Sequence, residues 1–414
     1  MRPLARRTHP VSMVPSGATP LRIALVFGTR PEAIKLAPLV KRFQANPDRF
    51  ACTTIVTAQH REMLDQVLDL FSIRPDYDLD ILRPRQSLAQ ITAAAITGLD
   101  AVLANIQPDF VLVQGDTSTT FIGALAAFYH KVRVAHVEAG LRTRQKYYPY
   151  PEEINRSLTG VLADAHFAPT ALAHDNLVSE GVPADRIWVT GNTGIDALND
   201  VLEWKQECAH PVLRRIAAAK RRMILVTSHR RENHGKPQER ICSALLRLAR
   251  EFPDIAIVFP VHLSPAVRDT VLPQLREQKQ ITLLDPIDYF ETIHFMKAAH
   301  LILTDSGGIQ EEAPSLGKPV LVLRETTERP EGVDAGSVRL VGTESGAIFD
   351  AAAQLLTDSV AYGNMAEAIN PYGDGHASDR IIQALEFMTG RAENPAPFAS
   401  PVRIRTVSTA REPS

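Results

Sequence analysis

Short apolar runs alternate with longer amphipathic stretches along the chain. In the first half the apolar runs end in polar residues or glycine and lie at 22–29, 52–58, 109–116, 132–140 and 166–170. The second half repeats this plan with runs at 222–229, 255–262, 281–286, 301–308 and 319–323. Segments with helical spacing, such as PEAIKLAPLVKRFQ and TTFIGALAAFYHK, separate the runs. The alternation is typical of βαβ units and predicts an α/β protein with two parallel sheets.

Breaks in this pattern suggest the domain boundaries. We predict a Rossmann-like N-terminal domain over 21–190 and a Rossmann-like C-terminal domain over 191–372, which begins at the segment GNTGIDALND. A final helical pattern over 373–390 is expected to cross back onto the first domain. The lead-in 1–20 carries arginines, the tail 391–414 is rich in Pro, Ser and Arg, and both are expected to be disordered.

Composition and charge exclude several classes of protein. Lys and Arg number 45 against 47 Asp and Glu, so no global field favours nucleic acid or an anionic membrane. No apolar run approaches the roughly 20 residues of a membrane helix, and the lead-in lacks the apolar core of a signal peptide. Cys52, Cys208 and Cys242 have neither CxxC nor zinc spacing, so we expect reduced thiols and a cytoplasmic protein.

Polar residues at the carboxyl ends of the predicted strands are the candidates for a ligand site, because ligands of open parallel sheets bind there. The first half contributes Arg30, Asp116 and Glu138. The second half contributes His229 and the turn formed by Ser306, Gly307 and Gly308. Two such sheets facing each other would line one deep cleft between the domains.

One group of these residues suits an anion. Glycines let the backbone approach a ligand closely, and the start of a helix attracts phosphate, although Ser306 is equally explained as a plain helix cap. Glu312, further along the same helix, is suited to accept hydrogen bonds from a ribose diol. Neither a Walker loop nor GxGxxG is present, so a dinucleotide cofactor is not supported. His229 and His234 lack further ligands at useful spacing, so no metal is expected.

A second group consists of carboxylates. Asp116 and Glu138 end consecutive strands, and Glu152 opens a helix in YPYPEEINRS, four residues before Arg156 on the same helix face. A lone Glu at a helix start is explained by the helix dipole alone. Three carboxylates converging beside a phosphate-type site point instead to proton transfer. Their mutual repulsion and partial burial should raise at least one pKa toward neutrality.

Ten segments together resemble the non-hydrolysing UDP-N-acetylglucosamine 2-epimerases, in order from about residue 22 to 390. They are GTRPEAIKLAPLV, QHREMLDQVLDLF, GDTSTT, HVEAGLRT, PEEINR, GNTGIDAL, HRREN, PVHLSP, TDSGGIQEEAPSLGKPVLVLRETTERPE and NPYGDG. The resemblance implies a GT-B fold with the active site between its two domains. It implies interconversion of UDP-GlcNAc and UDP-ManNAc through elimination of UDP to 2-acetamidoglucal, without a cofactor. It also implies a homodimer that supplies sugar nucleotides for cell-surface polysaccharide.

Roles for individual residues follow from the same resemblance. The implied catalytic residues are Asp116, Glu138, Glu152 and His229, and which carboxylate acts as base is left open. The residues implied to bind the UDP-sugar are Arg30, Lys35, Arg156, Ser306, Gly307, Gly308, Glu312 and Arg329, with uracil held in IDYFET by Ile287, Phe290 or Thr292. Thr292 stands where some members carry an aromatic residue. A regulatory site for a second UDP-GlcNAc would use Gln59, His60, Arg85 and Arg230, with Glu62 where some members have Gln.

Two other functions compete with this interpretation. A hydrolysing relative would release free ManNAc and UDP, but such relatives lack the QHR stretch and the PEEINR form of the acid segment. A GT-B glycosyltransferase or a catalytically silent sugar-nucleotide binder is the other alternative. A transferase need not assemble three carboxylates, and a silent binder should have lost at least one of them.

Overall fold

The computed structural model describes residues 19–58, 61–83 and 85–399. The N-terminal half of the protein is built on a seven-stranded parallel sheet with the strand order β3-β2-β1-β4-β5-β6-β7. The strands are β1 (Leu21–Phe27), β2 (Phe50–Val56), β3 (Tyr77–Asp78), β4 (Phe110–Gln114), β5 (Arg133–Val137), β6 (Ala165–Ala168) and β7 (Ile187–Val189). The helices are α1 (Arg30–Gln44), α2 (Arg61–Leu70), α3 (Leu88–Ile106), α4 (Ser118–Tyr129), α5 (Glu152–Leu162), α6 (Ala171–Ser179) and α7 (Thr193–Leu202).

The C-terminal half is built on a six-stranded parallel sheet with the order β10-β9-β8-β11-β12-β13. Its strands are β8 (Arg222–Thr227), β9 (Ile255–Pro260), β10 (Ile281–Leu284), β11 (Leu301–Thr304), β12 (Val320–Val322) and β13 (Val338–Leu340). Its helices are α8 (Pro211–Ala218), α9 (Lys236–Glu251), α10 (Pro265–Leu275), α11 (Tyr289–Ala298), α12 (Gly307–Glu312), α13 (Pro330–Asp334), α14 (Ser345–Thr357) and α15 (Ser359–Ala366), followed by α16 (Ala377–Phe387).

Each predicted strand forms, because strands that are buried on both faces of a parallel sheet read as continuous apolar runs. β4, for example, is buried at all five of its positions. The prediction misses β3, β7 and β13. These strands are two or three residues long and lie at sheet edges, where so short a pairing leaves no recognisable run.

One apolar cluster joins the facing sides of the two halves. It contains Leu25 and Phe43 of the N-terminal half together with Leu225 and Ile302 of the C-terminal half. The cluster buries apolar surface at the base of the molecule, so that the carboxyl ends of the two sheets face each other across an open cleft.

Helix α16 lies against the N-terminal half. The Arg42 Nε lies 3.1 Å from the Asp379 Oδ1, and the Arg49 Nη2 lies 2.6 Å from the Glu386 Oε2. The buried Asp196 carboxylate of α7 accepts hydrogen bonds from the backbone N–H of Ala377 (3.2 Å) and of Ser378 (2.8 Å), at the start of α16.

Residues 391–399 correct the expectation of a disordered tail from 391 onward. The Trp188 Nε1 donates a 2.7 Å hydrogen bond to the Asn394 Oδ1, and the Phe398 N–H donates a 2.7 Å hydrogen bond to the Val189 carbonyl. Phe398 is buried, so this segment covers the edge strand β7, which its Pro- and Ser-rich composition does not indicate. The expectations for 1–18 and 400–414 lie outside the described residues.

α3 also differs from expectation. Among the described helices it is the one that is long and apolar enough to cross a membrane, with 19 residues and a mean hydropathy of 1.3. In the structure it packs beside α4, with Leu99 and Leu103 in an apolar cluster on one face of the N-terminal sheet. Its Asp100 carboxylate lies 2.8 Å from the His130 Nε2, just beyond the end of α4.

Candidate active site

A cleft of about 610 Å³ lies between the two halves and brings most of the predicted site residues together. From the N-terminal half it is lined by Arg30, Lys35, Asp116, Glu138, Glu152 and Arg156. From the C-terminal half it is lined by His229, Arg230, Thr292, Ser306, Gly307, Gly308, Glu312 and Arg329. These residues follow strands or open helices at the carboxyl ends of the two sheets, as the sequence pattern predicts.

Arg156 organises the acid end of the cleft. It forms ion pairs with Asp116 and, at 2.9 Å, with the Glu153 Oε2. The Glu153 carboxylate also accepts hydrogen bonds from the backbone N–H groups of Thr143 and Arg144. The helix spacing suggests a pairing of Arg156 with Glu152, but the ion pairs of Arg156 are with Asp116 and Glu153.

Glu152 is half-buried at the acid end of the cleft. Burial raises the pKa of Glu152, and the nearby Asp116 carboxylate raises it further. The direction agrees with the sequence-based expectation, although burial is the larger cause and charge repulsion the smaller. A carboxyl group in this environment is a better proton donor near neutral pH than an exposed glutamate.

Glu138 follows β5 in the left-handed region, with φ at 64°. Glutamate rarely adopts this conformation, which costs roughly 1–3 kcal/mol and tends to occur at functional sites. The turn aims the carboxylate at Lys35, with which it forms an ion pair, and at the Asn192 Nδ2, which donates a 3.0 Å hydrogen bond. Burial raises the pKa of Glu138, while the Lys35 ammonium opposes this shift.

His229 is oriented by a residue that the sequence analysis missed. Its Nδ1 lies 3.0 Å from the Oδ1 of Asp305, which is fully buried. The other oxygen of Asp305 accepts hydrogen bonds from the backbone N–H groups of His229 (2.9 Å) and Arg230 (3.0 Å). Burial alone would raise the pKa of Asp305, but the hydrogen bonds from His229 and Arg230 hold it at about 2. Because the Nδ1 of His229 faces the Asp305 carboxylate, the Nε2 is the ring nitrogen that is available to a ligand in the cleft.

The turn at Ser306 is built around Arg329. The Ser306 side chain makes no capping hydrogen bond, so the plain-cap explanation does not describe it. A Cβ added to Gly307 would lie 2.7 Å from the Arg329 Cζ, so glycine is needed for Arg329 to reach this position. α12 has only six residues, so its helix dipole is weak. The cations that line the cleft near Ser306 therefore contribute more than the dipole to the attraction of an anion.

Two glutamates hold Arg329 in place. Its Nε donates a 2.6 Å hydrogen bond to the Glu311 Oε1, and its Nη1 donates one of 2.6 Å to the Glu328 Oε1. Glu328 also accepts from Arg324 (2.8 Å) and Arg230 (3.3 Å). Pairing of this kind is needed, because a buried charge without a partner is strongly destabilising.

Glu312, the one carboxyl group predicted to bind the substrate, has a strongly raised pKa. Burial raises its pKa to about 8, and the neighbouring Glu311 carboxylate contributes in the same direction. The Tyr289 hydroxyl donates a 3.3 Å hydrogen bond to its Oε1. With this pKa the Glu312 carboxyl group binds a proton at neutral pH.

Some predicted residues do not come to the cleft. The Phe290 ring is buried against Trp204, with ring centroids 6.3 Å apart, and neither it nor Ile287 lines the cleft. Arg85 is exposed and lies outside the cleft as well. Gln59 and His60 lie outside the described residues.

The residues that sequence reasoning missed are carboxylates that position others. They are Glu153, Asp305, Glu311 and Glu328, together with Glu32, whose buried carboxylate accepts hydrogen bonds from the Gly28 and Thr29 N–H groups. Each directly neighbours a predicted site residue or motif, which is the only signal that the sequence offered. Within the described residues no cluster of three or more His, Cys, Asp or Glu is arranged to hold a metal ion.

Comparison with known proteins agrees with this geometry. The family model described as UDP-N-acetylglucosamine 2-epimerase matches residues 41–386. The UDP-N-acetylglucosamine 2-epimerase of Bacillus subtilis is 54% identical over 379 residues, which cover 91% of this chain and 98% of that protein.

Solved structures extend the similarity to the fold. The Neisseria meningitidis UDP-GlcNAc 2-epimerase bound to UDP-GlcNAc has a TM-score of 0.82 and 49% identity, covering 88% of this chain and 99% of that one. The Methanocaldococcus jannaschii enzyme in complex with UDP-GlcNAc and UDP has a TM-score of 0.75 and 33% identity, covering 89% and 100%. The predicted GT-B fold is thereby confirmed, with two facing parallel-sheet domains. The chain belongs to the UDP-N-acetylglucosamine 2-epimerase family.

Proposed function

We propose that the protein is a non-hydrolysing epimerase that interconverts UDP-GlcNAc and UDP-ManNAc. A carboxylate removes the proton from C2, and the C1–O bond breaks with its electron pair going to UDP, which leaves 2-acetamidoglucal. A proton then adds to the opposite face of C2, while an oxygen of UDP forms the new bond to C1. No free sugar is released, and no cofactor takes part.

The observation that carries this proposal is that Asp116, Glu138 and Glu152 lie together with several cations in one cleft. Removal and return of a proton at C2 need groups whose pKa lies nearer neutrality than that of an exposed carboxylate. The raised pKa values of Glu138 and Glu152 meet this need. Stabilising the departing diphosphate needs positive charge, which Arg30 and Arg329 supply, with the His229 imidazole beside them in the cleft. The proposal leaves open which carboxylate acts on which face of C2.

The substrate is proposed from the bound ligands of the relatives. The Neisseria meningitidis structure contains UDP-GlcNAc, and the Methanocaldococcus jannaschii structure contains UDP-GlcNAc and UDP. In this chain the cleft has one anionic and one cationic region, as a sugar nucleotide undergoing elimination requires. We place uracil near Thr292, the member of the predicted base pocket whose side chain lines the cleft.

Incubation with UDP-GlcNAc in deuterium oxide, followed by NMR, tests the reaction. We expect UDP-GlcNAc and UDP-ManNAc that both carry deuterium at C2. Free ManNAc and UDP as the products would indicate the hydrolysing reaction instead. Unchanged, undeuterated UDP-GlcNAc would favour the transferase or the silent binder.

We further propose that UDP closes the cleft. Arg30, Asp116 and Glu138 belong to one half, whereas His229 and Ser306 belong to the other, so neither half holds a complete site. Binding of UDP across both halves would exclude water and protect the glucal intermediate.

A second UDP-GlcNAc is proposed as an activator, on the basis of the family resemblance. The implied residues are Gln59, His60, Arg85 and Arg230, of which Arg230 lines the cleft beside His229. An activator bound next to the substrate would favour the same closed state and make the dependence of rate on substrate concentration sigmoidal.

A homodimer is proposed from the resemblance and from an exposed apolar face on α4 and α5. Ile154, Leu158 and Val161 share one face of α5 and are 37%, 42% and 83% exposed. Phe128 and Tyr129 at the end of the adjacent α4 are 56% and 62% exposed. α3 packs beside α4, and α4 beside α5, so these helices form one continuous surface on this side of the molecule.

We also propose a compartment and a cellular role for the enzyme. The three free cysteines suit the reducing cytoplasm. There the enzyme would supply ManNAc-type sugar nucleotides for cell-surface polysaccharide, as the resemblance implies.

A further inference from the structure

A second large groove, of about 770 Å³, lies along the open side of β10 at the edge of the C-terminal sheet. One wall is α8, with Arg215 and Ile216, and the other is α10, with Arg268 and Leu272. These helices pack on opposite faces of the sheet and both extend past the edge strand. None of the residues lining this groove lines the active-site cleft, so the proposed epimerisation does not use it.

The floor of the groove offers unpaired backbone groups. The carbonyls of Gln280 and Leu284 accept 2.8 Å hydrogen bonds from the N–H groups of Ile257 and Val261, so they point toward β9. Because backbone groups alternate in direction along a strand, those of Leu283 point into the groove. An edge strand of this kind is a template for a further strand from another chain.

The walls of the groove are strongly basic. The charged side chains that line it are Arg215, Arg221, Arg268, Arg276, Lys279 and Asp285. Asp285 forms an ion pair with Arg268, and the other four cations have no carboxylate partner within the part of the chain that the structure describes. The Arg268 Nε is also shielded from solvent and has no hydrogen-bond partner among the described residues. The charge is complementary to an acidic ligand.

The cations are spread along the strand instead of converging on one point. Arg276 and Lys279 precede β10, the Arg215 Nη2 donates a 3.0 Å hydrogen bond to the Thr282 Oγ1 in its middle, and Arg268 lies at its end beside Asp285. The residues 279–285 span about 20 Å at the rise of an extended strand. A compact anion would contact only part of this row, whereas an extended chain would contact all of it.

We propose that this groove binds an extended acidic peptide segment of a partner protein, which adds as a strand beside β10. Its backbone pairs with the open edge at Leu283, and its carboxylates pair with the four remaining cations of the groove, Arg215, Arg221, Arg276 and Lys279. The interaction is independent of the sugar-nucleotide site, since the two surfaces share no residue.

The test is fluorescence anisotropy with a labelled eight-residue peptide in which Glu alternates with Thr. We expect saturable binding that weakens at least tenfold in the double variant Arg215→Glu/Arg276→Glu. The matched control is Arg214→Glu/Arg250→Glu, which makes the same change of charge at exposed arginines outside the groove and should bind as the wild type does. Conversion of UDP-GlcNAc should be equal in all three proteins, which shows that each is folded.

Two further probes separate strand addition from attraction of charge alone. The same peptide with N-methyl groups on alternate residues should lose binding, and the unmodified peptide should slow hydrogen exchange at Leu283. Equal binding of the N-methylated peptide, or tight binding of inorganic polyphosphate with no protection of Leu283, would overturn the proposal in favour of a simple polyanion site. Failure of the peptide to bind at about 1 mM would reject the site altogether.

Discussion

The Lys35 Nζ of the N-terminal half lies 3.4 Å from the Glu311 Oε2 of the C-terminal half. Lys35 also pairs with Glu138, and Glu311 with Arg329, so a chain of four buried charges crosses the base of the cleft. Two of its members were predicted to bind the sugar nucleotide and one to be catalytic. Three of the four, Lys35, Glu138 and Arg329, also line the cleft, so charges that join the two halves lie within the site itself.

Replacing Lys35 with Met should destabilise the protein. Glu138 and Glu311 would remain buried without their shared cation, and breaking such a pairing typically costs about 3 kcal/mol or more. We expect the free energy of unfolding at neutral pH, measured with urea, to fall by about this amount. Lys297→Met removes an exposed lysine and should change it by less than about 0.5 kcal/mol. Equal stabilities for the two variants would contradict the role of the charge chain.

The amide variants Asp116→Asn, Glu138→Gln and Glu152→Gln should each lower turnover by about two orders of magnitude or more, because each removes a group placed to transfer protons. UDP binding, measured by calorimetry, should survive in all three, since the proposed UDP contacts come mainly from the C-terminal half. The control Asp350→Asn removes an exposed carboxylate of α14 and should keep normal turnover. Near-normal turnover in all three site variants would refute the assignment.

Glu312 should make the empty enzyme less stable as pH rises. Burial raises its pKa from 4.5 to about 8, so the folded protein binds a proton that the unfolded chain releases between these values. Its contribution to stability is fully present below pH 4.5 and is lost as pH rises through about 8. The variant Glu312→Gln should lack this component, so its melting temperature relative to the wild type should increase from pH 5 to pH 9. A constant difference would contradict the raised pKa.

The apolar face on α4 and α5 should hold the proposed homodimer together. The double variant Leu158→Glu/Val161→Glu places charges in this face and should sediment at the monomer mass of 45.5 kDa, while the wild type sediments at twice this value. Val360→Glu, at a valine of α15 that is 69% exposed, is the matched control and should remain dimeric. A wild-type monomer would contradict the dimer, and a dimeric double variant would move the interface elsewhere.

Regulation by a second UDP-GlcNAc predicts sigmoidal kinetics. The reverse reaction from UDP-ManNAc should be slow until some UDP-GlcNAc is present. Arg85→Ala should flatten the sigmoid without lowering turnover at saturating substrate. Arg83→Ala, at a nearby exposed arginine, is the control and should leave the curve unchanged. Hyperbolic kinetics in the wild-type enzyme would remove the activator and leave the epimerase reaction intact.

At the acid end of the cleft, the sequence predicts which residues lie there but not how their charges are paired. Asp116 and Glu152 were found because strand ends and helix starts are recognisable and the rule for open parallel sheets places them together. The partners of Arg156 were not found, since Asp116 is 40 residues away in the chain and Glu153 was indistinguishable from its neighbour. Asp305, which orients His229 from another strand end, was missed for the same reason.

Phe290 lies away from the cleft, where the position in the sequence did not place it. An aromatic residue just after a strand end was expected to contact the base, but its ring packs against Trp204, 86 residues earlier in the chain. Which side of a short helix faces a core and which faces a ligand depends on what the neighbouring elements bring to it. Local spacing does not contain that information.

The sequence by itself determined the two-sheet α/β architecture and most of the residues that line the cleft. It could do so because buried parallel strands are continuous apolar runs and ligand-binding residues follow their carboxyl ends. Only the tertiary structure decided which charges are paired, that burial raises the pKa values of Glu138, Glu152 and Glu312, and that an open basic edge remains at β10. Pairing, burial and exposed edges depend on distances between residues far apart in the chain, which arise only when each half has folded and the two halves have packed together.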